Sequence, residues 1–239
     1  MLSRSASRAR RFPKTLPAFS QRSLLPSFSE HLLLVDSDIC IILAAADAFE
    51  DVASLLGFNI PAIRRLLPLP RQLRVSKAFR ENIPEDIRSI AERHCATIEP
   101  LREMPSDSSL LQRLAPYDGI DPGEAQLLAV LAERPSSLLA SGDKRFMKTL
   151  CAVEDLRDLR DAIAGRVVCL ETVVLMCLDK WGISETARRF GPLRFNSTLK
   201  VIFNDGPDTS EEHCREGLRS YLKELQGSLG EGLLYSSAH

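Results

Sequence analysis

The amino-acid sequence predicts an α/β fold: a three-layer α/β/α sandwich around a mainly parallel sheet, with a C-terminal strand–helix extension. Three observations carry this. Short apolar runs at His31 to Asp36, Ser137-Leu138-Leu139-Ala140 and Arg166-Val167-Val168-Cys169-Leu170 read as strands buried on both faces. Helical patterns separate them, and that alternation implies parallel strands joined by right-handed crossovers. Two of the runs close on acids, Asp36-Ser37-Asp38 and Gly142-Asp143, and open α/β sheets place their sites outside the carboxyl ends of the strands.

A chain of 239 residues with 44% apolar content fills one large core. A main domain is expected over 30–182 and the extension over 183–239. Residues 1–29 differ in kind. Arg4, Arg8, Arg10, Arg11, Lys14 and Arg22 stand among serines and prolines, and no acid appears before Glu30. This segment reads as disordered and basic. An organellar transit peptide and a phosphate-touching arm are the alternatives. Net charge is −1, so bulk charge does not argue for nucleic acid. Cysteines at 40, 95, 151, 169, 177 and 214 form no C-x-x-C pair. They read as reduced core residues of a cytoplasmic protein. No apolar run is long enough to span a bilayer, so no membrane partner is expected.

In chain order, the first strand ends at Asp36, and Ile39 to Leu56 reads as one or two helices stopped by Gly57. Residues 59–80 read as partly helical, broken by Pro61, Pro68 and Pro70. They gather Arg64, Arg65, Arg71, Arg74, Lys77 and Arg80, either a solvated face or a phosphate-contacting one. Pro84 to Cys95 reads as a helix and Ala96-Thr97-Ile98 as a short strand. A loop over 104–120 has a helical turn at Leu110-Leu111. Asp121 then caps a helix with Pro122 at its first position, and Pro135 stops it. After Asp143 a helix runs from Lys144 toward Leu159, and Glu171 to Trp181 follows the third strand. In the extension, Lys200 to Phe203 reads as a strand. Thr209 and Glu212 match a capping box. Cys214, Leu218, Tyr221, Leu222 and Leu225 form an apolar stripe ended by Gly227. That stripe must cover the domain itself, a second copy in a homodimer, or a partner.

The acids carry the chemistry. Glu124 stands three and four residues before Leu127 and Leu128, so it lies on the packed stripe of its helix. If the first two strands are neighbours, Asp36, Glu124 and Asp143 converge. Clustered carboxylates are costly without a cation, and a hard ion such as Mg²⁺ or Mn²⁺ takes oxygen ligands. Such a site activates water against a phosphodiester. Lys144, Arg145 and Lys148 follow Asp143 and are candidate phosphate-binding residues. Each acid also has a plain structural role: Asp36 and Asp143 as helix caps, Glu124 closing a capping box with Asp121. Elsewhere, the histidines at 31, 94, 213 and 239 lack zinc-ligand spacing, and no Walker A, G-x-G-x-x-G or G-x-S-x-G pattern occurs.

Leu-Leu-Val-Asp-Ser-Asp at 33–38, Gly-Glu-Ala-Gln-Leu-Leu at 123–128 and Ala-Ser-Gly-Asp-Lys-Arg-Phe at 140–146 together resemble the PIN domain, over about residues 31–180. That family includes metal-dependent ribonucleases and the toxins of toxin–antitoxin pairs. The resemblance implies Asp36, Glu124 and Asp143 as metal-site and catalytic acids, with Asp38 beside the first. It also implies RNA as substrate and admits an antitoxin-like protein partner. There is one departure: basic residues fill most of 71–81, where the family usually has another acid. Glu81 or Asp121 would substitute, or the site is incomplete and the module binds RNA or protein without cleaving. Asp36-Ser37-Asp38 also resembles haloacid-dehalogenase-like phosphatases. Ile39-Cys40 replaces the expected Gly-Thr, however, and Met147 stands where an acid is expected.

Overall fold

The computed structural model describes residues 31–106, 108–230 and 232–236; the basic segment expected over 1–29 lies outside them. The elements follow in order: β1 (Leu33–Val35), α1 (Ser37–Ala45), α2 (Phe49–Leu55), β2 (Ile63–Arg65), α3 (Leu69–Val75), α4 (Lys77–Asn82), α5 (Glu85–Thr97) and α6 (Ser109–Leu114). Then come α7 (Pro122–Glu133), β3 (Leu138–Ser141), α8 (Lys144–Ala152), α9 (Arg157–Ala162), β4 (Val167–Cys169), α10 (Leu170–Phe190), α11 (Ser197–Ile202) and α12 (Glu211–Leu229). The strands form one all-parallel sheet in the order β2-β1-β3-β4, flanked by helices.

Alternation along the strands divides the core, because successive side chains leave opposite faces of a sheet. Leu33, Val35, Ala140 and Val168 feed one apolar cluster, shared with α1, α5 and the first half of α10. Leu34, Leu139, Val167 and Cys169 feed another, with α7, α8 and α9. The stripe of α12 is buried against the domain's own core. Cys214 and Leu218 join the first cluster, and Leu225 and Leu229 join the second. At roughly 1.5–3 kcal/mol per fully buried large apolar side chain, these contacts tie the helix firmly to the sheet. The boundary expected at 182 falls on Gly182, whose φ of 73 breaks α10 into two helical pieces. Only glycine adopts that conformation without strain.

Several local expectations are corrected. Ile63–Arg65 is a strand inside the stretch read as partly helical, paired in register with Leu33, Leu34 and Val35. Residues 96 and 97 complete α5 rather than starting a strand. Residues 200–202 are helical, because Asn196 caps α11 through the Leu199 N–H. Ser210, not Thr209, caps α12, accepting from the His213 N–H at 3.2 Å. That helix passes Gly227 and ends at Leu229, before Gly230 with φ of 75. The helix from Lys144 stops at Ala152 and does not continue to Leu159. No helix among the described residues is long and apolar enough to cross a membrane.

Candidate active site: an acidic cleft at the carboxyl edge of the sheet

The parallel register brings the strand ends side by side. The Asp36 N–H donates to the Ala140 carbonyl at 3.1 Å, so the β1–β3 ladder runs one residue past Val35. Beyond it the Asp36 carboxylate does two jobs. Its Oδ1 accepts from the Ile39 N–H at 2.8 Å and caps α1. Its Oδ2 accepts from the Gly142 N–H at 3.0 Å and from the Ser141 hydroxyl. The end of β1 is thereby fastened to the turn after β3. Asp143 caps α8, accepting from the Arg145 N–H at 2.7 Å. Asp121 and Glu124 form a reciprocal capping box: the Glu124 N–H reaches Asp121 at 2.8 Å, and the Asp121 N–H reaches Glu124 at 2.7 Å. Every plain structural role is filled, and the same carboxyls also face one another.

They do so in a cleft of about 450 Å³. Asp36, Asp38, Asp121, Glu124 and Asp143 line it together with Arg145. More of the lining comes from Leu66 and Pro68 ahead of α3, Gln72 of α3 and Phe79 of α4. A Cβ on Gly123 would stand 2.6 Å from Leu66 Cδ1 and 3.2 Å from Asp121 Oδ1, so the Leu66 side chain would have to shift to admit one.

Charge in the cleft is unbalanced. Burial, and then the charge of Asp38, push Asp36 up to about 7 against the hydrogen bonds that favour its ionised form. Glu124 is pushed up to about 8, first by burial and then by the charges of Asp121, Asp143 and Asp36, against the hydrogen bond from the Asp121 N–H. Asp38 is raised by burial and by Asp143, with Arg145 opposing. Asp143 alone goes the other way. Burial works against its charge, but hydrogen bonds from Arg145 and from protonated Glu124 outweigh it. The Arg145 guanidinium holds Asp143 at 2.6 Å through Nη2 and at 3.2–3.3 Å through Nε.

Oxygen donors and a deficit of positive charge fit a hard divalent ion in kind. Asp36, Glu124 and Asp143 are the groups that could hold it, with Asp38 and Asp121 at hand. As placed, no group of three or more His, Cys, Asp or Glu among the described residues meets in a metal-holding arrangement.

Two expected site residues lie elsewhere. Glu81 pairs with Lys77 at 3.7 Å on exposed α4 and does not line the cleft, whereas Asp121 does. Lys144 turns away from the cleft: its Nζ stands 2.8 Å from Glu171 Oε1 and 5.0 Å from the centre of the Tyr221 ring. Glu171 is 1% exposed, so this lysine serves as a counter-ion and is not free for phosphate. Lys148 is exposed on α8. Of the basic residues at 64–80, Arg65 is buried and gives its guanidinium to the carbonyls of Cys95, Leu66 and Leu67. Arg74 pairs with Glu92 at 3.0 Å.

Sequence reasoning missed Ser141, Gln72, Phe79 and Glu171. Glu171 carried the same signal as Asp36, an acid just beyond an apolar strand. A larger cavity of about 590 Å³ lies between α10, α12 and residues 234–236. Its charged residues are already paired, Asp179 with Arg215 at 2.5 Å and Lys180 with Asp51 at 2.6 Å, and most of its other lining is apolar. Comparisons with protein-family models, curated proteins and solved structures give no match to this chain.

Proposed function

We propose that the protein is a PIN-type endoribonuclease, built as a three-layer α/β/α sandwich, that uses Mg²⁺ or Mn²⁺ to hydrolyse RNA phosphodiester bonds in the acidic cleft. The observation that carries this reading is the unbalanced charge: five carboxyl groups line one cleft, three of them raised above their ordinary range, with Arg145 the cation lining it among the described residues. Asp36, Glu124 and Asp143 would hold the ion. When bound, the ion supplies an activated water and a counter-charge for the oxygens of the phosphodiester. The chain's own residues prepare the ground. Ser141 and the Gly142 N–H fix Asp36 in place. Glu124 holds a proton near neutral pH and shares it with Asp143. The exposed fork of Arg145 suits a phosphate oxygen pair once it leaves Asp143.

A second reading, a catalytically incomplete module that binds RNA or a protein, is favoured by one observation. Arg145 already supplies to Asp143 the positive charge that a metal ion would otherwise bring. Incubating the purified protein with labelled RNA in Mg²⁺ or Mn²⁺, against chelator, separates the two. The first reading expects cation-dependent cleavage that Asp36→Asn and Asp143→Asn each abolish. Intact RNA with every cation leaves only the second.

A further inference from the structure

The part of the cleft lining outside the acids is unlike them: apolar Leu66 and Pro68, the half-buried ring of Phe79 and the exposed amide of Gln72. Nothing in the fold uses the Gln72 side chain, which has no hydrogen-bond partner among the described residues. Phe79 is set by α4, whose first turn Ser76 caps through the Phe79 N–H at 3.5 Å. The ring packs in part on the core, and its remaining surface opens to the cleft. Arg71 and Arg80, next in the chain to Gln72 and Phe79, are exposed and make no ion pair among the described residues.

We propose that this part of the lining is a nucleobase subsite: Phe79 stacks on one unpaired base, and the Gln72 amide hydrogen-bonds that base's edge. The proposal rests on the reading of the cleft as a phosphodiester site and adds which part of the RNA enters it. A neutral base with a π-face and a donor–acceptor edge matches an aromatic ring beside an amide, and base–aromatic stacking tolerates any base. A phosphate does not match that pair, and the acids repel it unless a cation intervenes. Arg71 and Arg80 do not line the cleft, and Arg80 borders a separate pocket, so the subsite is built on Phe79 and Gln72. A cleft of about 450 Å³ lies within the roughly 300–1,000 Å³ of small-ligand sites. That is room for one splayed base, so the subsite calls for an unpaired nucleotide.

The test is a binding measurement, so it does not depend on turnover. Fluorescence anisotropy of labelled oligouridine and oligoadenosine, each single-stranded or annealed to its complement, is followed in Ca²⁺, which also takes oxygen ligands. Single strands should bind and duplexes should not. Phe79→Ala should weaken single-strand binding about 5- to 150-fold. Gln72→Ala, at an exposed position, should weaken it about 2- to 13-fold for one base more than the other. In a Trp181→Phe background, Phe79→Trp should keep affinity, and the introduced indole should be quenched by RNA. If Phe79→Ala fails to fold, the quenching and Gln72→Ala decide. Wild-type affinity in a folded Phe79→Ala protein, equal binding of duplexes, no quenching, or no RNA binding at all overturns the subsite. Phe79-dependent binding without cleavage in Mg²⁺ or Mn²⁺ leaves the subsite standing and removes the reaction. Cleavage without quenching removes the subsite alone.

Discussion

Lys144 Nζ stands 2.8 Å from Oε1 of Glu171, a carboxylate 1% exposed at the start of α10. The pair joins the helix that follows β3 to the helix that follows β4, and Tyr221 of α12 closes over the ammonium at 5.0 Å. Removing the lysine would strand a buried charge, which costs about 3–5 kcal/mol. Lys144→Met should therefore lower stability in urea denaturation by about 3 kcal/mol, the low end, since Lys144 is partly solvated. The double variant Lys144→Met/Glu171→Leu should recover most of that loss, because apolar replacements of buried pairs are often neutral. An additive loss would show that the two do not act as a pair.

The raised acids make the cation-free protein sensitive to alkali. Asp36 at about 7 and Glu124 at about 8 bind protons in the folded state that the unfolded chain gives up near 4. Between those limits the folded state holds more protons, so stability falls as pH rises. Thermal midpoints in chelator should drop from pH 5 to pH 8, and Asp36→Asn should flatten the slope. Mn²⁺ should raise the midpoint more at pH 8 than at pH 5, because it competes with the same protons.

Much of this was legible in the residues, for identifiable reasons. The strands at 33–35, 138–141 and 167–169 are apolar runs between helical patterns, and burial on both faces leaves that mark. Ile63–Arg65 left none: two of its three residues are arginines, and its place in the sheet depends on Arg65 reaching the carbonyl of Cys95 at 2.6 Å. Lys200 to Phe203 looked extended because its β-branched residues outweigh a cap four positions earlier, Asn196. Asp36, Asp121, Glu124 and Asp143 could be found because caps and strand ends are local features. Phe79 and Gln72 could not, since only the fold of α3 and α4 carries them to the cleft. The direction of Lys144 was equally hidden, because its partner is 27 positions away in the chain.

Asp121 separates capping from charge. Asn caps a helix about as well as Asp, so Asp121→Asn should leave the thermal midpoint within about 1 °C for a change of a few tenths of a kcal/mol. It should still weaken Mn²⁺ binding severalfold. Asp121→Ala should cost about 1 kcal/mol as well, through the lost cap of α7. Equal Mn²⁺ affinity in wild type and Asp121→Asn would place this acid outside the cation's reach.

Arg145 competes with any cation for Asp143, which it holds at 2.6 Å. Arg145→Ala should tighten Mn²⁺ binding severalfold and weaken RNA binding, since the same guanidinium is the proposed phosphate contact. Calorimetry for the metal and anisotropy for RNA check the two effects, and a fall in both affinities would contradict the competition.

The central claim is that the cleft's acids hold one divalent ion, and calorimetric titration of the purified protein with Mn²⁺ at pH 8 tests it most directly. The account predicts one site per chain, lost in Asp143→Asn and in Asp36→Asn while both variants remain folded. No saturable heat, or binding that both variants retain, would contradict it.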